Sequence, residues 1–333
     1  MSNRIWNVTI LLLFLLLSLL LLQFVSSSAS IRKLAQPSAD GANMDADATR
    51  KHIVLISQER DNPFWQSIAE GARTAAEAAG MELEYTGPLR INPEEQTKLL
   101  RKAIAAKADA ILLQGLGSVD PAYQSLIDSA VSQHIPVIAI DTDEPGSARL
   151  AYVGTDNYKA GQQMGELIQT HAGGEAFIGV LIGDEQAANQ QLRLAGLRAA
   201  IQGAPALRLA GVRSSNISRL EAQRQTEELL ASEPKIRILV GFSALDGAGM
   251  MDAVKRLGRE DIRIFAFDDL AETKDGIRSG QIEASIIQQP RQMGVQAVDL
   301  LLRHWQGEQI AAEQFTATFV LDALTVDSLA EER

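Results

Sequence analysis

Short β-rich runs alternate with amphipathic helical patterns from His52 onward, and this alternation is the feature that most narrowly limits the fold. The first run covers residues 53–57, and a helical pattern follows it from Pro63 to a stop at Gly80. The next runs, at residues 110–113 and 136–140, have a helical pattern between them. This order is typical of βαβ units, which build parallel sheets.

A second series of the same kind follows a break at residues 154–157. It predicts strands at 177–182, 207–212, 236–240, 262–267, 284–288 and 315–321, separated by helices at 158–170, 186–201, 218–230, 247–257, 273–279 and 290–306. So many units exceed one compact sheet of usual width. The sequence therefore predicts an α/β fold of two similar, doubly wound parallel-sheet lobes.

An uncharged apolar run at residues 8–25 precedes these elements. As a helix it would span roughly 27 Å, close to the ~30 Å of a bilayer core, and Arg4 precedes it on the expected cytoplasmic side. We predict a signal anchor at 1–27, which places the rest of the chain outside the cell membrane. Cleavage near residues 27–29 is one alternative and a buried core helix is another. Residues 28–51, rich in Ser, Ala, Asp and Gly, predict a flexible linker.

Charge and cysteine content exclude several classes of function. The chain has 31 Lys and Arg against 42 Asp and Glu, a net charge of −11, whereas nucleic-acid binding needs a basic face. The absence of cysteine excludes disulfides, thiolate catalysis, cysteine zinc sites and a lipid-modified cysteine. Either the apolar run attaches the protein to the membrane, or the protein is released.

Polar residues stand directly after four of the predicted strands. They are residues 57–62, 141–143, 184–186 and 268–269, and Phe64 and Trp65 follow the first group. In parallel sheets of this kind, ligands bind beyond the carboxyl ends of the strands. Carboxylates and amides pair with vicinal hydroxyls, and aromatic rings cover the C–H face of a sugar. The pattern therefore predicts a cleft for a neutral polyol.

Each of these residues also has a purely structural alternative. Asn62 stands where a helix N-cap is expected. Phe64 and Trp65 could pack the first helical turn, and Asp141 and Asp268 could be turn formers or caps.

Enzyme motifs in the sequence are incomplete. None of the four histidines follows a predicted strand, residues 241–245 lack the closing glycine of a nucleophile elbow, and residues 115–117 are only a fragment of a dinucleotide motif. The acidic residues at 141–144 do not follow a calcium-loop pattern. We expect no cofactor and no metal. A carbohydrate-active enzyme that uses paired carboxylates, such as Asp141 and Asp268, is the alternative from another functional class.

Five motifs carry a family resemblance. They are HIVLISQERDNPFWQSIAEG at 52–71, PVIAID at 136–141, VGTDNYKAGQQMGE at 153–166, IFAFDD at 264–269 and ASIIQQPRQMG at 284–294. In this order they resemble the periplasmic sugar-binding proteins of the ribose and galactose type, which have the type I periplasmic binding protein fold. The resemblance implies crossovers near 154–156, 288–291 and 316–320. It implies one lobe of 52–154 plus 290–317 and a second of 155–289 plus 318–333.

The resemblance also implies ligand contacts from both lobes. The residues carried over by motif are Asn62, Phe64, Trp65, Asp141, Asn157, Arg193, Asp268 and Gln288. Gln114 lies where the family often places another polar contact, and Asp246 completes the expected ligand-binding set. Phe64 and Trp65 would flank the sugar ring, and Arg193 would donate to adjacent oxygens. Ribose-type members have Arg where this chain has Thr142 and an Asn-Asp pair within 243–246, so the resemblance does not extend to ribose specificity. Asp246 either replaces part of that pair or caps the following helix.

The resulting hypothesis is a single-pass, membrane-tethered, extracytoplasmic protein that closes on a pentose or hexose. Its partner would be an ABC importer permease or a sensor histidine kinase in the same membrane. An amino acid or a signalling furanone is the alternative ligand. The same fold occurs in repressors that carry a helix-turn-helix before it, but the apolar run takes that place here, so we expect no DNA binding.

Overall fold

The structure is a computed structural model that describes residues 50–117 and 120–328. The predicted signal anchor, and the predicted linker before Arg50, lie outside the described residues. Within the described residues, no helix has both the length and the apolar character needed to cross a membrane. Residues from Lys51 onward form one compact unit.

Strands and helices alternate along this unit. In chain order they are β1 (His52–Ile56), α1 (Pro63–Ala78), β2 (Glu82–Thr86), α2 (Pro93–Ala105), β3 (Ala110–Leu113), α3 (Pro121–Ser132), β4 (Val137–Ile140), β5 (Ala151–Thr155), α4 (Asn157–His171), β6 (Ala176–Ile182), α5 (Ala188–Gln202), β7 (Leu207–Ser214), α6 (Arg219–Ser232), β8 (Ile236–Gly241), α7 (Asp246–Leu257), β9 (Arg263–Phe267), α8 (Ala271–Arg278), β10 (Ala284–Ile287), α9 (Pro290–Trp305), β11 (Glu313–Thr316) and β12 (Phe319–Asp322).

The first sheet has six parallel strands in the order β11-β5-β4-β3-β1-β2. Its central strands are apolar on both faces because helices cover both. Ile53 and Leu55 of β1 pack with α1 and α9, while Val54 and Ile56 pack on the opposite face with α2 and α3. The continuous apolar runs in the sequence are therefore explained by burial on two sides.

The second sheet repeats this arrangement in the order β12-β10-β9-β8-β6-β7. Helices α4 and α5 pack on one face, and α6, α7 and α8 pack on the other. All its pairs are parallel except that of β12 with β10, which is antiparallel. The predicted fold of two doubly wound lobes is thus confirmed, with one antiparallel edge strand added.

The chain passes between the two sheets three times, as the resemblance implied. The crossovers lie at Asp156, between β5 and α4, at 288–289, between β10 and α9, and at 317–318, between β11 and β12. The single strand predicted at 315–321 is wrong, because it is two strands that belong to different sheets. Most of the residues in its sequence, FTATFVL, favour strands, so the pattern does not reveal the change of sheet.

Three elements, β2, α2 and β5, have no counterpart among the predicted elements. Strand β2 lies at the sheet edge and its residues are exposed or only partly buried, which removes the apolar run that marks a central strand. Strand β5 lies where glycine and polar residues indicated a break.

Paired glycines bring the two helices that follow crossovers, α9 and α4, against α1 and α5, which carry Phe64, Trp65 and Arg193. An added Cβ at Gly71 of α1 or Gly294 of α9 would lie 2.0 Å from a carbonyl oxygen of the other helix. The same distance applies at Gly161 of α4 and Gly196 of α5. Only glycine allows backbones to approach this closely, so these contacts fix α1 and α5 on the helices that leave the crossovers.

Candidate functional site

A cavity of about 90 Å³ lies between the lobes, at the carboxyl ends of the strands. Eight of the ten predicted ligand-binding residues line it, namely Asn62, Phe64, Trp65, Gln114, Asp141, Arg193, Asp268 and Gln288. They come from both lobes and from the second crossover. The structure therefore brings most of the predicted set together at one point, although its contacts with a ligand stay a prediction.

The start of α1 supplies three of these residues. The side-chain oxygen of Asn62 accepts a hydrogen bond from the Phe64 amide at 3.0 Å, which makes Asn62 the N-cap of the helix. Trp65 is only 3% exposed and belongs to the core, with its ring edge-on to Phe64 at 6.5 Å between centroids. Capping and packing thus coexist with a place in the cavity wall, and the structural and functional alternatives do not exclude each other.

Arg193 is the most constrained polar residue of the cavity. Its guanidinium donates from Nε to Asn157 Oδ1 at 2.8 Å, from Nη1 to the Phe242 carbonyl at 2.7 Å and from Nη2 to Gln288 Oε1 at 3.1 Å. Its carbon Cζ lies 3.9 Å from the centroid of the Phe267 ring. These bonds use three of the five N–H donors of the group, so donors remain for a ligand.

Asp141 and Asp268 follow β4 and β9, the equivalent strands of the two sheets. Both have left-handed backbone conformations, with φ of 66° and 64°. Asp141 Oδ2 accepts from the amide of Gln114 at 3.2 Å, and Asp268 Oδ1 accepts from that of Gln288 at 2.9 Å. Burial raises the pKa of each carboxyl to about 6, and the nearby positive charge of Arg193 opposes that rise.

Gln114 carries an acceptor that the protein does not use. Its Nε2 donates to Asp141 Oδ2 at 3.2 Å and to Thr142 Oγ1 at 3.1 Å. Among the described residues, no donor reaches its buried Oε1. Leaving a buried acceptor unpaired costs about 1–3 kcal/mol, so this oxygen suits a ligand hydroxyl.

Two predicted residues, Asn157 and Asp246, do not line the cavity. Asn157 lies behind Arg193, where it accepts the Nε bond and donates to the Thr155 carbonyl at 3.0 Å. Asp246 is fully buried in the first turn of α7, and its carboxylate accepts from the Ser243 amide at 2.8 Å. In the structure these side chains position Arg193 and the 243–246 loop, and their expected contact with a ligand stays a prediction.

Several cavity residues were not predicted, and the amides Asn189 and Gln190 are the most informative. They belong to the first turn of α5, and the Asn189 amide crosses the cleft to Asp141 Oδ2 at 3.5 Å. The polar residues expected here, 184–186, precede them and do not line the cavity. A run of amide residues before Arg193 could have indicated these two positions. The helix begins at Ala188 and not at the predicted position 186, so the polar residues that reach the cavity lie further along the chain than expected. Gln58, Ala187, Ile217, Ser243 and Ala244 complete the lining.

Ile217 lines the cavity from an unusual backbone conformation. Its φ is 51°, and that of Asn216 is 49°. A β-branched residue rarely adopts the left-handed region, and such a conformation costs on the order of 1–3 kcal/mol. The amide of Ile217 donates to the Gly183 carbonyl at 3.1 Å, which holds the turn against the second sheet.

The cavity combines two carboxylates, one guanidinium, several amides and two aromatic rings. This set binds hydroxyl groups by donating and accepting at the same time, while the rings cover apolar faces. Residues 50–117 and 120–328 contain no cluster of His, Asp or Glu suited to a metal ion.

Comparison with known proteins gives a consistent result. The periplasmic binding protein domain family matches residues 53–309. The D-apiose import binding protein of Actinobacillus succinogenes is 26% identical over 71% of this chain and 76% of its own length. The ribose import binding protein RbsB of Escherichia coli is 23% identical over 82% of this chain and 91% of its own.

Solved structures are similar over almost their whole length. GanP, a glucose-galactose binding protein from Geobacillus stearothermophilus, is 36% identical, with a TM-score of 0.80 over 83% of this chain and 98% of its own. A structure of the XylFII–LytSN complex is 34% identical, with a TM-score of 0.76 over 83% of this chain and 98% of its own.

Proposed function

Because this chain belongs to the periplasmic binding protein family, we propose that it is a membrane-tethered receptor that closes two lobes on a neutral monosaccharide. It is a sugar-binding protein of the ABC-transporter type, and its relatives are binding proteins rather than enzymes. The sugar, the tether and the partner are the parts proposed here.

The observation that carries the proposal is the placement of Arg193 among the carboxylates of Asp141 and Asp268. Three protein bonds hold the guanidinium in one orientation, so its remaining donors are fixed before a ligand arrives. Each carboxylate accepts from an amide and keeps further acceptor sites for hydroxyl hydrogens. A pair of adjacent ring hydroxyls satisfies this arrangement.

Charge favours a neutral ligand over an acidic one. Of the residues that line the cavity, two are acidic and one is basic. A uronic acid would place its carboxylate beside Asp141 or Asp268, and the Arg193 guanidinium is already partly used. Like charges at such distances disfavour binding. We therefore place pentoses and hexoses ahead of sugar acids, amino acids and furanones.

Relatives support a pentose or hexose without choosing one. GanP is a glucose-galactose binding protein, and the proteins of Actinobacillus succinogenes and Escherichia coli bind D-apiose and ribose by name. The cavity lining combines amides with the carboxylates of Asp141 and Asp268, and such groups suit either ring size.

Lobe closure is the proposed signal. The ligand contacts residues of both lobes, and the lobes are connected by three crossovers, so bound sugar favours the closed form. An ABC importer permease or a sensor histidine kinase would recognise the closed conformation. The structure of XylFII with LytSN supports a reading in which a second protein recognises a receptor of this kind. The apolar run at 8–25 would hold the receptor beside its partner.

Thermal unfolding of the full chain against a sugar panel tests the proposal. The chain would be purified in a detergent without a sugar headgroup and heated with D-glucose, D-galactose, D-xylose, L-arabinose, D-ribose, D-apiose or D-galacturonate. A ligand at about 100 times its Kd adds about 2.7 kcal/mol to the free energy of unfolding. We expect a raised Tm with at least one neutral sugar, no shift with D-galacturonate, and no conversion of the sugar by NMR. The proposal fails if every neutral sugar leaves the Tm unchanged, or if a product forms.

Fractionation of cells tests the tether. We expect the full chain in the membrane fraction, with the lobes cleaved by protease added outside the cytoplasmic membrane. A Leu15→Asp, Leu19→Asp double variant interrupts the apolar run and should release the chain from the membrane fraction. Recovery of the unmodified chain in the cytoplasm would contradict the proposed localisation.

A further inference from the structure

A larger groove adjoins the cavity beside the second crossover. Its volume is about 600 Å³, against about 90 Å³ for the cavity. Six residues line both spaces, namely Asn62, Phe64, Ile217, Ala244, Asp268 and Gln288. The two spaces therefore adjoin each other along these shared residues.

Apolar residues of both lobes line the groove. Pro63 and Val295 belong to α1 and α9 of the first lobe, and Leu245 and Leu270 belong to loops of the second. None of these four side chains is fully buried by the protein. A ligand placed between them would meet apolar surface on two sides, which is how protein sites cover the faces of a sugar ring.

Charged residues of the groove have partners within the protein. Arg291 pairs with Glu70, and Lys274 Nζ lies 3.0 Å from Asp269 Oδ2. The amides of Gln289 and Gln292 add neutral donors and acceptors to the lining. This combination of paired charges, amides and apolar walls fits a neutral polar ring better than an anion or a long acyl chain.

We propose that the groove is a second subsite, which takes a further sugar ring joined by a glycosidic bond to the sugar in the cavity. This inference rests on the proposed sugar-binding function and extends its ligand class from monosaccharides to short glycosides. The terminal ring occupies the cavity among Arg193, Asp141 and Asp268, and the next ring lies between the apolar walls of the groove.

Ile217 marks the boundary between the two subsites. Its side chain lines both spaces, and its backbone has the left-handed conformation that β-branched residues rarely adopt. In the proposed ligand the glycosidic linkage lies along the six shared residues, and Ile217 is one of them.

Matched variants on α1 separate the two subsites. Ser67 lines the groove but not the cavity, and Gln66 is exposed and lines neither. Ser67→Trp places an indole ring in the groove, and Gln66→Trp places the same bulk beside it. Leu270→Ala, which shortens one apolar wall, is a second probe that adds no volume.

Calorimetry on the full chain would compare D-glucose, D-galactose and D-xylose with cellobiose, maltose, lactose, melibiose and xylobiose. We expect at least one disaccharide to bind as tightly as its terminal monosaccharide or more tightly. Ser67→Trp should then weaken the disaccharide about tenfold or more and leave the monosaccharide within about twofold. Leu270→Ala should weaken the disaccharide only, and Gln66→Trp should change neither.

The possible failures are distinguishable. If monosaccharides bind and every disaccharide is rejected, or if the disaccharide ignores both groove variants, the second subsite is overturned while the proposed function stands. If no saccharide of either kind binds, the proposed function and the second subsite both fail. If Ser67→Trp does not fold, the response to Leu270→Ala decides between these outcomes.

Discussion

Asp141 and Asp268 occupy matching positions in the two lobes, each directly after the equivalent strand and each in a left-handed backbone conformation. Each accepts from a glutamine amide, and burial raises the pKa of each to about 6 despite the charge of Arg193. The cleft thus contains a pair of carboxylates that are costly to ionise in the folded protein. The ionised carboxylates therefore destabilise the ligand-free folded protein.

Replacing Asp141 by Asn should stabilise the ligand-free protein near neutral pH. The folded pKa of about 6 exceeds the unfolded value of about 4, so the folded state holds more protons between them. The stabilising contribution of this group is therefore fully present below about pH 4 and is lost as pH rises through about 6. The loss is at most about 3 kcal/mol. Asn also tolerates the left-handed backbone.

Chemical denaturation at about pH 4 and about pH 7.5 measures this effect. We expect the free energy of unfolding of Asp141→Asn, relative to that of the wild type, to be higher at the upper pH than at the lower pH. Asp299→Asn, at an exposed position of α9, is the control and should track the wild type. An equal change in Asp141→Asn and the wild type would show that burial does not destabilise the carboxylate.

Sugar affinity should show the opposite dependence on pH. The ionised carboxylates accept ligand hydroxyls, so binding weakens as pH falls through about 6 and both groups become protonated. Calorimetry with the sugar found by the panel measures this. Asp268→Asn should bind more weakly at neutral pH and lose part of the pH dependence. A constant affinity from about pH 5 to 7.5 would show that these carboxylates do not bind the sugar.

Arg193→Lys should weaken sugar binding by about 10- to 100-fold. Lysine keeps the charge but cannot donate simultaneously to Asn157, the Phe242 carbonyl and Gln288, nor stack in a plane over Phe267. Arg198→Lys, at an exposed position of the same helix, is the matched control. Calorimetry measures the sugar affinity of both variants. Equal affinities in Arg193→Lys and Arg198→Lys would show that the planar guanidinium of Arg193 does not contribute to sugar binding.

Gly161→Ala should lower both stability and affinity. The added Cβ would lie 2.0 Å from the carbonyl oxygen of Arg193, so α5 must move away from α4. Overpacking of this kind costs about 1–3 kcal/mol. Gly174→Ala is the control, because a Cβ there meets no atom within 4 Å. Chemical denaturation should show the loss of stability, and calorimetry should show the loss of sugar affinity. An unchanged sugar affinity in Gly161→Ala would show that the position of Arg193 does not depend on the contact between α4 and α5.

Phe64→Ala should weaken sugar binding with a modest effect on stability. Phe64 lines the cavity and is only partly buried, so truncation removes ligand contact more than core packing. Phe315→Ala removes a ring that is 47% exposed and outside the cavity, and it serves as the control. We expect about a tenfold loss of affinity in the first variant only. Similar affinities in both variants would exclude ring stacking by Phe64.

The sequence pattern was sufficient to predict the two lobes and to locate the site residues that directly follow central strands. Asp141 and Asp268 stand at the ends of fully apolar runs, so their location at the carboxyl edge follows from the parallel sheet alone. Arg193, in contrast, lies in the second turn of a helix, and only the family motif indicated it. The residues around Arg193 form no pattern that shows its side chain reaching the cavity.

The differences at Asn157 and Asp246 have a common physical origin. Both residues lie in the first turn of a helix near the cleft, where a polar side chain can either point at a ligand or bind neighbouring backbone and side-chain groups. Asn157 binds Arg193, and Asp246 binds the Ser243 amide. The choice depends on tertiary contacts, which residue spacing does not contain.

The glycine contacts of α1 with α9 and of α4 with α5 join backbone directly to backbone. Such a joint has no side chain that can rotate or yield, so a bend at a crossover displaces a whole wall of the cleft as one piece. Cavity side chains can then be exchanged without changing how far the walls travel. In this architecture the side chains that line the cavity and the glycine contacts that hold its helices are separate sets of residues, so selectivity can change without a change in the helix contacts.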